Sequence, residues 1–155
     1  MAARGALLPT WSGLLSIPMI LAPLFVTVLL TFVIGFGMAG LRTGALNRRE
    51  VRVEDIDLGQ PNWPKRSMQF ANCFRNQFEL PVLFYVLTIL AIITRHADLL
   101  FVVMAWIFVL FRLLHAYVFV TNNNLRARGM TYAVGALVLL IMWVIFAVRI
   151  MLGLP

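Results

Sequence analysis

The sequence predicts an all-α fold, a bundle of four membrane-spanning helices making a single domain over residues 1–155. Two observations carry that prediction. The chain is 62% hydrophobic and only 12% charged, whereas a soluble domain is about half apolar and about a quarter charged. Its apolar residues also gather into four runs, at about 17–41, 67–94, 99–120 and 130–152. Each is near the 20 or so residues needed to cross roughly 30 Å of hydrocarbon.

Met1 to Ser16 reads as a short lead in which Trp11 suits an interfacial anchor. No basic stretch followed by a small-residue cleavage site precedes the first run, so that run is read as a retained span. It carries no charge over 17–41. Pro18 and Pro23 fit an entry turn, and Gly35, Gly37, Ala39 and Gly40 make a patch of small residues. Such patches let a neighbouring helix approach closely where packing drives association.

Residues 42–65 form the one sizeable polar segment, with Arg42, Arg48, Arg49 and Arg52 set against Glu50, Glu54, Asp55 and Asp57. It ends in Gly59-Gln60-Pro61-Asn62-Trp63-Pro64, whose prolines forbid a helix continuous with the next span. A surface loop is expected, with Trp63 at the headgroup level. The second span contains Pro81, which removes a backbone donor and should kink it. Arg95-His96-Ala97-Asp98 reads as a tight turn. The third span carries Arg112, His115 and Tyr117 in its second half, and Thr121 to Gly129 reads as the next connection. The fourth is uncharged until Arg149, which is expected to snorkel outward.

A formal net charge of +7 raises the question of nucleic acid. Most of the basic residues lie in the connections, where they serve topology and headgroup contact, so nucleic-acid binding is excluded as a reading. Arg42, Arg48, Arg49, Arg52, Lys65, Arg66, Arg126 and Arg128 flank one side of the spans, against Arg4, Arg95 and Arg149 on the other. The positive-inside rule then puts the basic loops in the cytoplasm and both termini outside. A lone Cys73 excludes an intrachain disulfide and a cysteine zinc site, and two histidines without acids at ligand spacing argue against any metal. Neither a glycine-rich phosphate loop nor a serine nucleophile motif occurs.

Polar residues inside the spans are the functional signal. Asn72, Arg75, Asn76 and Glu79 recur at i, i+3, i+4 and i+7, one face of a helix. Arg112, His115 and Phe119 share a face of the third span. An unpaired Arg or Asp at mid-bilayer costs about 2.5–3.5 kcal/mol on insertion scales, so both faces should turn toward protein or a water-filled cavity. Because the two spans form an antiparallel hairpin, the faces should meet at one depth, with Glu79 as counter-ion for Arg112 or Arg75. The result would be a pocket near the basic headgroup side, or a purely structural ionic network.

These residues, in this order, resemble the MAPEG family (membrane-associated proteins in eicosanoid and glutathione metabolism), in its microsomal glutathione transferase and leukotriene C4 synthase branch. Asn76-x-x-Glu79 followed by Pro81, then Arg112-x-x-His115 and a late Arg126, carry the resemblance across nearly the whole chain. The resemblance implies a homotrimer with sites between adjacent subunits. It also implies glutathione as co-substrate near the cytoplasmic face, and a lipophilic partner arriving from membrane lipid.

Residue by residue, Asn76 and Glu79 match positions that hold the polar backbone of glutathione, and Arg112 an arginine of the same cluster. His115 stands at a position that is His or Tyr in relatives. Arg126 matches the catalytic arginine that stabilises the thiolate, and Arg42 aligns with a first-helix arginine. The departures are Asn72 and Phe74, where one branch has Arg and Gln, and Phe119, where relatives have Tyr. Arg75, one turn on, and Tyr117, close in sequence, could compensate. The implied activity is a glutathione-dependent transferase or lipid-hydroperoxide reductase acting on lipophilic electrophiles. The alternative is a non-enzymatic lipid-binding or scaffold subunit of the same fold. Its place would be the inner membrane of a bacterium or the endoplasmic reticulum of a eukaryote.

Overall fold

The computed structural model describes residues 16–154; the anchor expected at Trp11 lies outside the described residues. Within them every regular element is helical, without a strand: α1 (Ile17–Asn47), α2 (Lys65–Arg75), α3 (Leu80–Ile93), α4 (Leu99–Val120) and α5 (Leu125–Leu152). With α2 and α3 counted as one broken span, four helical segments are long and apolar enough to cross a membrane.

Local chemistry sets the ends. Asp98 caps α4, its Oδ1 accepting from the Phe101 amide at 2.9 Å, and α4 begins where the apolar run begins. Asn124 caps α5 in the same way, accepting from the Ala127 amide at 3.0 Å. This moves the start of the last helix to Leu125, so residues 125–129 are its first turn and not part of a loop. A side-chain oxygen satisfying a free first-turn amide is worth about 1 kcal/mol, and Gly129 does not prevent helix on its N-terminal side. At the other end α1 continues to Asn47, past its apolar run, because no breaker interrupts it; Pro18 sits in its first turn and Pro23 inside it.

The connection 48–64 is a surface loop, as expected. Arg48 pairs with Glu50 at 2.6 Å and Arg52 pairs with Glu54. The exposed Glu50 carboxyl is held below its usual range by its hydrogen bond from Arg48.

α4 is the central helix and packs against α5, α1 and α2. Its buried residues, Phe101, Val102, Ala105, Phe108, Val109, Arg112, His115, Ala116 and Phe119, follow a three-and-four spacing that puts one face inward. They join two separate apolar clusters. One gathers Ile20, Phe84, Leu87, Ala105, Phe108 and Leu139 among others; the second is Ile34, Cys73, Ala116 and Phe119. On α4 the change from one to the other falls at Arg112 and His115. Of the small residues on α1, Gly35 and Gly37 are the ones that act as packing contacts. A Cβ on Gly37 would stand 2.7 Å from the Phe70 ring, and one on Gly35 3.0 Å from Phe74, whereas Gly40 has open space.

The ends of the bundle are tied separately. At one end Arg149, expected to snorkel, instead pairs with Asp98 at 2.8 Å and keeps only 23% of its side chain exposed. The α3–α4 turn lies within reach of its guanidinium, and a partner there outcompetes a reach toward water. Beside this pair His96 Nε2 meets the Leu154 carbonyl at 3.0 Å. At the other end the Gln69 amide donates to the Phe119 and Thr121 carbonyls.

Candidate functional site: a cleft at a helix break

The second span does not kink at Pro81; it breaks before it. α2 ends at Arg75, Asn76–Phe78 forms a 3₁₀ turn, and Glu79 leaves the helical region at φ −99°, ψ −103°. Pro81 is then in the first turn of α3, where its missing N–H costs nothing. The break corrects the expected register. Asn72, Arg75, Asn76 and Glu79 do not share one continuous helical face, because the turn between them is not α-helical.

Backbone at a break inside a membrane needs new partners. Arg112 supplies them: its Nη2 donates to the Asn76 carbonyl at 2.9 Å and toward Gln77 Oε1 at 3.4 Å. The Gln77 amide passes the chain on to the Cys73 carbonyl at 3.1 Å. Arg112 is 1% exposed and makes no ion pair within 4.0 Å among the described residues. The counter-ion expected in Glu79 is therefore not paired with it or with Arg75. Glu79 is exposed and accepts instead from the Tyr132 hydroxyl at 3.4 Å, because the break swings it away from α4's buried side.

His115 is also buried. Its Nδ1 lies 3.0 Å from the Arg128 carbonyl, which can only accept, so that nitrogen carries the proton. The ring packs edge-on to Phe119 and tilted against Tyr132, with centroids 5.6 and 5.7 Å away. His115 Nε2 and the Nε and Nη1 of Arg112 are buried without a partner among the described residues. Unpartnered buried polar atoms, here two guanidinium donors and an imidazole acceptor, are rare in folded proteins and call for an explanation.

An open cleft of about 450 Å³ lies over this region. Asn72, Asn76, Glu79, His115, Phe119, Arg128 and Tyr132 line it, together with the first turn of α5. The free amides and dipole of that first turn favour negative charge nearby. The convergence expected of the second and third spans is thus present: Asn76, Glu79 and His115 share one cavity, with Arg112 directly behind it.

Other expected residues lie elsewhere. Arg126 is exposed on the first turn of α5 and does not line the cleft; Arg128 does. Arg128 lies 4.2 Å above the centroid of Phe119 and donates to Asn123 Oδ1 at 2.7 Å. Tyr117 is 67% exposed, and the hydroxyl in the cleft comes from Tyr132. Arg42 and Arg75 line a different cavity, with Asn72 as the shared wall. Arg128, Tyr132 and Gln77 were not singled out from the sequence. The signal for the first two was Asn124: a helix capped there carries Arg128 and Tyr132 at i and i+4, on one face. Gln77 gave none, since its part depends on the break.

Four apolar spans around a central helix, with a polar cleft at a break in the second, define an integral membrane helical bundle. The family model described as MAPEG family matches residues 20–148. The chain belongs to the MAPEG family, membrane proteins of eicosanoid and glutathione metabolism. No curated protein and no solved structure matches it significantly.

Proposed function

We propose that the cleft binds glutathione and presents its thiolate to lipophilic electrophiles or lipid hydroperoxides. The observation that carries this reading is the cleft itself, where an exposed carboxylate, a carboxamide, an imidazole, a phenol and a guanidinium converge next to apolar helices. Glu79 and Asn76 suit the amine and amide groups of a tripeptide, and the guanidinium side suits a thiolate. A cysteine-type thiol has a pKa of about 8.5, and a fixed neighbouring cation lowers it. The thiolate then attacks an electrophilic carbon, forming a thioether as that carbon's leaving group departs or its π bond opens. Alternatively it attacks a hydroperoxide oxygen and breaks the O–O bond. The alkoxide leaves and takes up a proton as the alcohol, and the sulfur remains as a sulfenic acid that a second thiol reduces with loss of water.

Two arginines are candidates for the thiolate's partner. Arg126 is the one the family resemblance indicates; Arg128 is the one this chain's cleft contains. In a homotrimer, which we propose on the family resemblance, the exposed Arg126 is available to an adjacent subunit's cleft. Glutathione titration of the purified protein, read by ultraviolet thiolate absorbance, tests the reading. The expected result is a thiolate band at neutral pH that Arg126→Ala or Arg128→Ala abolishes, thereby assigning the role. No band and no binding at millimolar glutathione would sink the enzyme reading.

A second reading has one observation in its favour. An apolar groove of about 520 Å³ runs along α1 and the break, lined by Phe32, Gly35, Phe36, Phe74, Phe78 and Tyr85 among others. It suits a lipophile. If the thiolate band is missing while a lipophilic ligand still binds, the protein is a lipid-binding subunit without chemistry.

A further inference from the structure

Arg42 and Arg75 lie in a second cavity, of about 200 Å³, between the end of α1, one side of α2 and loop residues 56–63. It is below the roughly 300–1,000 Å³ typical of drug-sized ligand sites, so it suits one compact group. Both charges that line it are guanidinium. Neither has a carboxylate within 4.0 Å among the described residues, whereas the nearby Arg48 and Arg52 are each neutralised by a glutamate. Arg42 Nε is buried without an acceptor among the described residues. Its guanidinium carbon sits 4.7 Å from the Trp63 ring centroid, so the fork is held in one plane before anything binds.

Position names the ligand chemistry. The cavity lies where α1 and α2 leave their apolar runs and the polar loop begins, the level of lipid headgroups. Phosphate is the fixed anion of that layer, and the planar fork of arginine matches its oxygens in pairs. Gln60 and Asn72 add neutral hydrogen-bonding groups to the wall.

We propose that Arg42 and Arg75, with Trp63 as the fixing wall, bind a phosphate group at the loop-side boundary of the bundle, supplied by a membrane phospholipid or by free phosphate. The site is separate from the thiol cleft and does not depend on the reading given for it. The test uses the full chain in neutral detergent without glutathione, and reads the thermal unfolding midpoint. Phosphatidylglycerol, phosphatidylcholine, inorganic phosphate and chloride at matched ionic strength are added in separate arms.

The expected result is a saturable rise with phosphatidylglycerol, or with inorganic phosphate, that chloride does not reproduce. Arg75→Gln should weaken the apparent affinity at least tenfold, and Arg42→Gln likewise, while Arg52→Gln leaves it unchanged. Arg75 is exposed, so its variant folds and decides the matter if Arg42→Gln does not. A rise with the phospholipid alone assigns the lipid source; one with inorganic phosphate assigns the free ion. A response equal in wild type and Arg75→Gln, or none beyond chloride, overturns the proposal.

Discussion

Arg112 sits at 1% exposure between two apolar clusters, and no carboxylate among the described residues touches it. What makes it tolerable is the backbone: the break in the second span leaves the Asn76 carbonyl for its Nη2, and Gln77 Oε1 takes a weaker share. Truncating it should leave that carbonyl unsatisfied, at about 1–3 kcal/mol, and open a cavity besides. We expect Arg112→Ala to lower the unfolding midpoint strongly. In the double variant with Gln77→Leu the losses should not add, with a coupling of about 0.5–3 kcal/mol, since Gln77 then has no acceptor left unmet. Additive losses in a double-mutant cycle would show that Arg112 and Gln77 do not act together at the break. That the Asn72–Glu79 stretch and the Arg112–His115 stretch come together at one depth was legible in the sequence, because antiparallel helices of known span length fix depth. The partner of Glu79 was not, because i, i+4 reasoning assumes an unbroken helix and the 3₁₀ turn at Asn76–Phe78 changes which way residue 79 faces.

At the scale of elements, α4 was readable to the residue because Asp98 combines a cap with the start of an apolar run. α5 was read late because a polar stretch rich in Asn looks like a loop until Asn124 is recognised as its cap. Asp98 also binds the far end of α5, through Arg149 at 2.8 Å, and this makes the clamp sensitive to acid. Burial alone would raise the Asp98 carboxyl, but the Phe101 amide and the Arg149 guanidinium outweigh it and hold the group below its usual range. A carboxyl whose folded pKa is depressed adds stability above its unfolded value, about 3.9, and loses it as pH falls through the folded value. Stability should therefore drop at acid pH, below about 4. Asp98→Asn, which keeps a capping side chain, should flatten that acid limb at a neutral-pH cost of about 0.5–1 kcal/mol, the scale of a partly exposed ion pair. Asp98→Ala should lose about 1 kcal/mol more, for the cap. Unfolding midpoints across pH check both; an acid limb unchanged in Asp98→Asn would place the proton elsewhere.

Taken as a whole, the molecule is polarised along its long axis, and that polarity predicts its orientation. The ends are fixed by contacts: Asp98 with Arg149, and His96 with Leu154, at one; Gln69 with the end of α4, and Arg42 with Trp63, at the other. Among the described residues the latter end carries eight flanking Lys and Arg residues and the former two, Arg95 and Arg149, an excess of six. Near an anionic cytoplasmic leaflet each is worth about 1 kcal/mol. Glu50 and Glu54 pair with two of them, yet acids count little in this rule, and discounting both still leaves the excess on the same side. The loop 48–64 should therefore face the cytoplasm, with Leu154 on the opposite surface. The chain suits a direct test, since its one native thiol, Cys73, is 0% exposed and should stay silent to a membrane-impermeant maleimide. Leu58→Cys, at a position 86% exposed in the loop, should label in intact cells only after permeabilisation, while Leu154→Cys should label from outside. The reverse pattern would mean that something other than loop charge, such as the order in which the spans insert, decides how this bundle sits in its membrane.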